Sequence, residues 1–183
     1  KAGASQTLVG LGNWKGRKPL VLVRAALLGL LLPSTDDLKK DRDIFLKLMT
    51  MDDEGLKKRK NKSIPPARIQ QELLTLPPYL KNKYSDPSLA RERRSELQNL
   101  VFERMPYSEK LEYCARPEQI NDFSDEDWRE INDHLQTDAN SLPDLVKQLG
   151  KKRFGHLPKV ADAFCGGGSV PFEAARLGCE VFA

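Results

Sequence analysis

The stretch Asp162–Ala183, DAFCGGGSVPFEAARLGCEVFA, decides how this chain is read. It places Gly166, Gly167 and Gly168 between a short apolar run and a helix-like pattern from Ser169 to Leu177. Glycines at such a turn let backbone approach a ligand with no Cβ in the way, and the helix start that follows offers unpaired N–H groups. Upstream, KVADAF (Lys159–Phe164) reads as a short strand; downstream, Gly178 ends the helix and CEVFA (Cys179–Ala183) reads as a second strand. The expected product is one β-α-β unit with parallel strands and a right-handed crossover.

Two common ligands of such turns fit poorly. A Walker A loop needs a lysine after its glycines, and none follows here. A dinucleotide GxGxxG counted from Gly166 needs glycine where Pro171 stands, and an acid at the end of the second strand. The string Asp162–Ser169, DAFCGGGS, instead resembles the D-P-F-x-G-x-G-[ST] motif of DNA amino-methyltransferases, whose cofactor is S-adenosylmethionine. The longer string RFGHLPKVADAFCGGGSVPFEAARLGCEVFA, from Arg153, is similar to the large adenine-specific DNA methylases that begin with a domain of unknown function. That resemblance implies that Asp162 begins the cofactor motif, that Phe164 lines the pocket, and that Gly166 and Gly168 let the loop pass beside the cofactor's methionine part. Ala163, Cys165 and Ser169 complete the same loop. Ala163 departs from the usual proline, which alters loop stiffness more than chemistry.

The front of the chain bears on the same reading. NWKGRKPLVLVRAALLGLLLP, Asn13–Pro33, resembles the opening W-x-x-R-[RK]-P-L of that family and its apolar helix. It also looks like methyltransferase motif X, a Lys-Pro at a helix start bordering the cofactor pocket; Lys18 and Pro19 are the matching positions. Taken without the resemblance, Lys-Pro is simply a basic helix cap. Pro19 suits the first helical position, where its missing N–H is not needed, and Pro33 stops the helix after Leu32. The run Leu20–Leu32 is interrupted by Arg24 and is too short to span a membrane, so a buried helix is expected.

Charge is distributed unevenly around the net +4. Residues 1–35 carry five basic side chains and no acid, residues 36–156 balance, and residues 157–183 carry one excess acid. A modest basic front suits an anionic ligand without establishing nucleic-acid binding. Cys114, Cys165 and Cys179 show no CxxC or His-paired spacing, so neither a disulfide framework nor a zinc site is expected, and a reducing cytoplasm is the default location.

Between the two ends, helical patterns alternate with proline-bearing loops. Leu38, Ile44, Phe45, Leu48 and Met49 form one apolar face; Leu97, Leu100 and Val101 form another. In FSDEDW, Ser124 is placed to cap a helix, Asp127 to complete a capping box and Phe123 to staple against Trp128. That role is preferred to a metal cluster of Asp125, Glu126 and Asp127, because adjacent residues on a helix diverge. Leu142, Leu145, Val146 and Leu149 mark the next helix, with Gly150 as its stop. Lys57–Lys62, KKRKNK, reads as a solvated loop, and His134 and His156 as isolated surface or packing residues.

Leu76–Tyr79, LPPY, echoes the [DNS]PP[YFW] motif with which amino-methyltransferases orient a flipped-out base. Leu76 has no acceptor, so the tetrapeptide reads as a proline turn and no catalytic residue is assigned. The expected organisation is a motif X-like segment and buried helix over 1–33, a helical insertion over 34–156, and the start of a Rossmann-like α/β domain over 157–183. The expected function is the N-terminal part of an S-adenosylmethionine-dependent methyltransferase of duplex DNA, specific for adenine N6. The catalytic motif and the ribose-gripping acid would then come from the rest of the enzyme or from a partner chain. Two alternatives stand beside it: a non-catalytic helical interaction module that keeps the turn for packing, and a methyltransferase of RNA or small molecules.

Overall fold

In the computed structural model, which describes residues 18–84, 91–121 and 123–183, helices prevail. In chain order they are α1 (Leu20–Leu31), α2 (Leu38–Leu48), α3 (Asp53–Arg59), α4 (Pro66–Thr75), α5 (Pro78–Tyr84), α6 (Arg91–Arg104), α7 (Tyr107–Lys110), α8 (Asp125–Leu135), α9 (Leu142–Phe154) and α10 (Ser169–Arg176). Strands β1 (Lys159–Ala161) and β2 (Glu180–Phe182) pair in parallel, with Val160 opposite Val181. The β-α-β unit is therefore present, with strands shorter than the sequence pattern suggests. Pairing continues one residue beyond β1, where the Asp162 N–H donates to the Phe182 carbonyl at 2.9 Å.

The chain divides into two compact units, one comprising residues up to 55 with 116–183 and the other residues 56–115. In the first, Leu28, Leu31, Ile44, Leu48, Ile131, Leu135, Leu142, Leu145, Val146, Leu149 and Leu177 pack into one core. α1 contributes Val23, Leu28 and Leu31 to the interior but leaves Leu22 and Leu30 exposed, so it is buried on one side and not all round. Pro19 precedes the helix as its N-cap instead of opening it, and its carbonyl accepts from the N–H groups of Leu22 and Val23. Leu38, expected on the core face of α2, is exposed.

The FSDEDW reading holds in detail. Ser124 Oγ accepts from the Asp127 N–H at 3.2 Å, and Asp127 Oδ2 accepts from the Ser124 N–H at 2.8 Å. Phe123 meets Trp128 edge to face at 5.2 Å between ring centroids. Asp127 has a second task that local pattern does not reveal: its Oδ1 lies 3.0 Å from Lys47 Nζ, with Glu130 at 3.2 Å. Burial pulls the Lys47 pKa down, but the Asp127 and Glu130 carboxylates outweigh it and hold the ammonium above its ordinary range.

His134 is not isolated. Its Nε2 lies 2.7 Å from Asp41 Oδ1, and Asp41 also accepts from the Thr35 N–H at 2.7 Å and the Thr35 hydroxyl at 2.9 Å. The Thr35 N–H, followed by His134 and the Thr35 hydroxyl, holds the Asp41 carboxyl below its usual range despite some desolvation. A depressed carboxylate stabilises the fold above its unfolded-state pKa and loses that contribution as pH falls through the folded value. Asp41→Asn should therefore lower stability at pH 7, and the difference from wild type should shrink as pH falls below about 4. Urea midpoints across pH 2–7 check this; a constant difference would refute it.

Gly150 does not end α9. The helix continues to Phe154 and is closed by Gly155 at φ +76°, with the Gly155 N–H donating to the Lys151 carbonyl at 2.9 Å. Gly150 is buried mid-helix because Pro158 passes over it: a Cβ at this position would lie 2.3 Å from Pro158 Cγ. A stretch read as punctuation is thus a packing contact that sets where β1 begins.

The 56–115 unit has its own core of Leu56, Ile64, Tyr84, Leu97, Val101, Phe102 and Met105. Gln98 pins the chain at Ile64 by accepting from its N–H at 2.8 Å and donating to its carbonyl at 3.1 Å. Lys57–Lys62 is solvated at Lys57, Lys58, Asn61 and Lys62 but is not simply a loop: Lys57–Arg59 complete α3, and Lys60 forms an antiparallel bridge with Cys114. Arg59 is buried and donates through Nε to the Ala115 carbonyl at 2.9 Å. Burial lowers the Lys60 pKa, and its ammonium lies 5.5 Å from the Phe102 ring centroid.

Candidate ligand site at the glycine turn

The turn after β1 is built by short-range bonds. Asp162 Oδ1 accepts from the Phe164 N–H at 3.2 Å, and the Gly168 N–H donates to the Cys165 carbonyl at 2.7 Å. Gly166 and Gly168 sit at φ +48° and +72°, a region that costs an L-residue with a side chain about 1–2 kcal/mol. Gly168 is the N-cap of α10, and no side-chain hydrogen bond caps that helix start. The first helical return bond runs from the Phe172 N–H to the Gly168 carbonyl. Ser169 and Val170 precede it and so have no intrahelical acceptor, while Pro171 has no N–H at all.

The turn lines a cavity of about 500 Å³ together with Lys18, Asp162, Phe164, Cys165 and Ser169. An adjoining cleft of about 870 Å³ is lined by Lys18, Pro19, Leu20 and Val21 from the start of α1, by Arg116, Pro117 and Glu118, and by Gly167, Gly168, Ser169 and Phe172. Both volumes fall in the range of sites that hold cofactor-sized molecules. Phe164 is 94% exposed, and Phe172 is also largely exposed, so two aromatic rings stand uncovered around these hollows. Of the residues singled out in the sequence, Lys18, Asp162, Phe164, Cys165, Gly166 and Ser169 line the cavity, and Pro19 and Gly168 line the cleft. Ala163 lines neither. Trp14–Arg17 of the front motif lies outside the described residues.

An ion pair hidden inside the fold joins α1 to α10. Arg24 Nε lies 2.7 Å from Glu173 Oε1, with the two side chains 1% and 0% exposed. The remaining guanidinium nitrogens of Arg24 donate to the carbonyls of Pro117 and Glu118 at 3.3 Å and to Asn121 Oδ1 at 2.9 Å. Arg176 adds a bond to Glu173 Oε2 at 3.0 Å and another to the Glu118 carbonyl at 2.9 Å. Front helix, α10 and the 117–121 turn are thereby locked around one buried charge pair. Sequence reading passed over Arg24, Glu118 and Glu173; a charged residue inside the most apolar run of the chain was the available signal.

Among the described residues, no group of three or more His, Cys, Asp or Glu side chains could hold a metal ion, and no helix is long and apolar enough to cross a membrane. The thiols of Cys114, Cys165 and Cys179 are free, and burial raises the pKa of Cys114 and Cys179. LPPY has Leu76 buried at the end of α4 and Pro77 leading into α5, with Tyr79 exposed. It offers no side-chain acceptor at the position where amine orientation needs one.

The fold and site thus define a chain with a glycine turn between parallel strands, facing the start of a buried-arginine helix. A family model described as "Protein of unknown function (DUF1156)" matches residues 1–48, which span α1 and α2. Among curated proteins and among solved structures, none matches the chain.

Proposed function

We propose that the cavity binds S-adenosylmethionine and that the chain supplies the cofactor-binding part of a methyltransferase acting on the adenine amino group of duplex DNA. One observation carries this reading: Lys18 and the Asp162–Ser169 turn, more than 140 residues apart in the sequence, line the same cavity. Each matches a methyltransferase motif by resemblance, and motif X beside motif I is the arrangement such an enzyme needs. On this reading β1, α10 and β2 are the first β-α-β of a Rossmann-like sheet, and the group that orients the target amine lies elsewhere in the enzyme. The exposed Phe164 ring suits an aromatic or apolar part of the cofactor. The substrate class rests on the likeness of DAFCGGGS to the amino-methyltransferase motif.

Isothermal calorimetry of the full-length protein with S-adenosylmethionine tests the cofactor. Binding is expected, and Asp162→Ala with Gly166→Ala should weaken it at least tenfold, by releasing the Phe164 N–H and by placing a side chain at positive φ. Absence of binding, or equal affinity in the variant, would sink the proposal. Transfer of a labelled methyl group to adenine in duplex DNA, and not to RNA, tests the substrate.

A further inference from the structure

Two residues that line the cleft beside the glycine turn carry side-chain oxygens that are buried and make no hydrogen bond within the protein: Glu118 Oε2 and Ser169 Oγ. Their residues are 5% and 6% exposed, and both line the cleft. A buried carboxylate oxygen with no partner is costly, and the cost is tolerated most readily where a ligand supplies the missing donor. The backbone explains why Glu118 stays there. Its carbonyl accepts from Arg24 and Arg176, so the residue is clamped through its main chain while its carboxylate takes no part in the clamp.

The charges around Glu118 narrow the ligand chemistry. Lys18 and Arg116 line the same cleft, and the uncapped start of α10 adds backbone donors beside Ser169. One acid faces two bases, a hydroxyl and a helix N-terminus, which is the complement of a zwitterion: an ammonium for the acid and a carboxylate for the donors. A plain anion would leave the Glu118 carboxylate without a donor, and a plain cation would be repelled by Lys18 and Arg116.

We propose that Glu118 recognises the ammonium of an α-amino-acid group at one end of the ligand. This inference rests on the cofactor reading above, where that group is the methionine end of S-adenosylmethionine. It adds a binding residue from the 117–121 turn, outside both sequence motifs. Rotation about the last side-chain bond of Glu118 presents an oxygen to the ligand without disturbing the carbonyl held by the arginines.

The test compares S-adenosylmethionine with 5′-methylthioadenosine, which keeps the nucleoside and sulfur but lacks the amino-acid end, by calorimetry on the full-length protein. Glu118→Gln removes the negative charge at constant shape; Glu118→Asp keeps the charge but withdraws it by one methylene. Both should weaken S-adenosylmethionine binding about tenfold or more and leave methylthioadenosine binding within twofold. Both should also unfold at or above the wild-type temperature. Equal losses for the two ligands, or no loss for either, would overturn the role of Glu118 while leaving the cofactor reading intact. Failure of the wild-type protein to bind S-adenosylmethionine would overturn both.

Discussion

Arg24→Leu is expected to destabilise the unit containing α1 and α10 by about 3 kcal/mol, measured by urea denaturation at pH 7. The substitution leaves Glu173, fully buried, without the guanidinium at 2.7 Å. Removing one partner of a buried pair typically costs about 3–5 kcal/mol, because the remaining charge cannot regain its hydration. The lower end applies here, since Arg176 still reaches Glu173 Oε2 at 3.0 Å. Leucine also abandons the carbonyls of Pro117 and Glu118. A double substitution, Arg24→Leu with Glu173→Leu, should recover part of the loss and not all of it, because the stranded charge is gone but the Pro117 carbonyl and Asn121 Oδ1 still lack the donor that Arg24 supplied. Stability within about 0.5 kcal/mol of wild type for the single variant would show that the pair does not hold the unit together. Because Lys18 and Pro19 lie at the start of α1 and line the hollows at the glycine turn, the proposed S-adenosylmethionine binding should also weaken in the single variant at temperatures where it remains folded.

Gly150→Ala is the second expected large effect, and its sign opposes helix propensity. In an open helix the change would gain about 1 kcal/mol. Here the added methyl would lie 2.3 Å and 2.4 Å from the Pro158 ring carbons and 3.0 Å from its nitrogen. A proline ring cannot rotate away, so chain must move. Overpacking of this kind costs about 1–3 kcal/mol and occasionally more; the closeness of this clash puts it at the top of that range, leaving about 2 kcal/mol of net destabilisation. Pro158 immediately precedes β1, and its carbonyl accepts the Glu180 N–H at 2.9 Å. Displacement should therefore reach the strand pair that carries the glycine turn. Thermal unfolding and amide exchange at Asp162 and Glu180 check the two parts, and a stabilised variant would refute the packing account.

The contrast between Gly150 and Gly168 marks what is legible in a sequence of this kind. Both are glycines at a helix boundary by pattern. Gly168 does cap a helix at positive φ, because the requirement is local: the turn must reverse within a few residues. Gly150 answers to a residue eight positions later that folds back over it, and helical periodicity contains no trace of that contact. FSDEDW was readable for the same reason as Gly168, since all its bonds fall within four residues. In Lys57–Lys62 the exposure expected for a charged run holds at Lys57, Lys58, Asn61 and Lys62 and fails at Arg59 and Lys60, because the opposing segment is not visible in the local pattern. Here Tyr113, Cys114 and Ala115 supply that segment.

The site divides in the same way. The turn itself was open to argument from Asp162–Ser169, where spacing and residue type act over a few bonds, while the proposed ligand class rests on a resemblance. Arg24, Glu118 and Glu173 were not open to it, since Arg24 stands 94 positions from Glu118 and 149 from Glu173 and meets them only when α1 lies against α10. Sequence by itself determined the β-α-β order and the Ser124 cap, both matters of short-range sterics and hydrogen bonding. Tertiary structure alone decided that a buried charge pair joins the front helix to α10, and that Glu118, which lines the cleft beside the glycine turn, carries an unsatisfied oxygen. Such choices depend on desolvation and on partners supplied from distant parts of the chain.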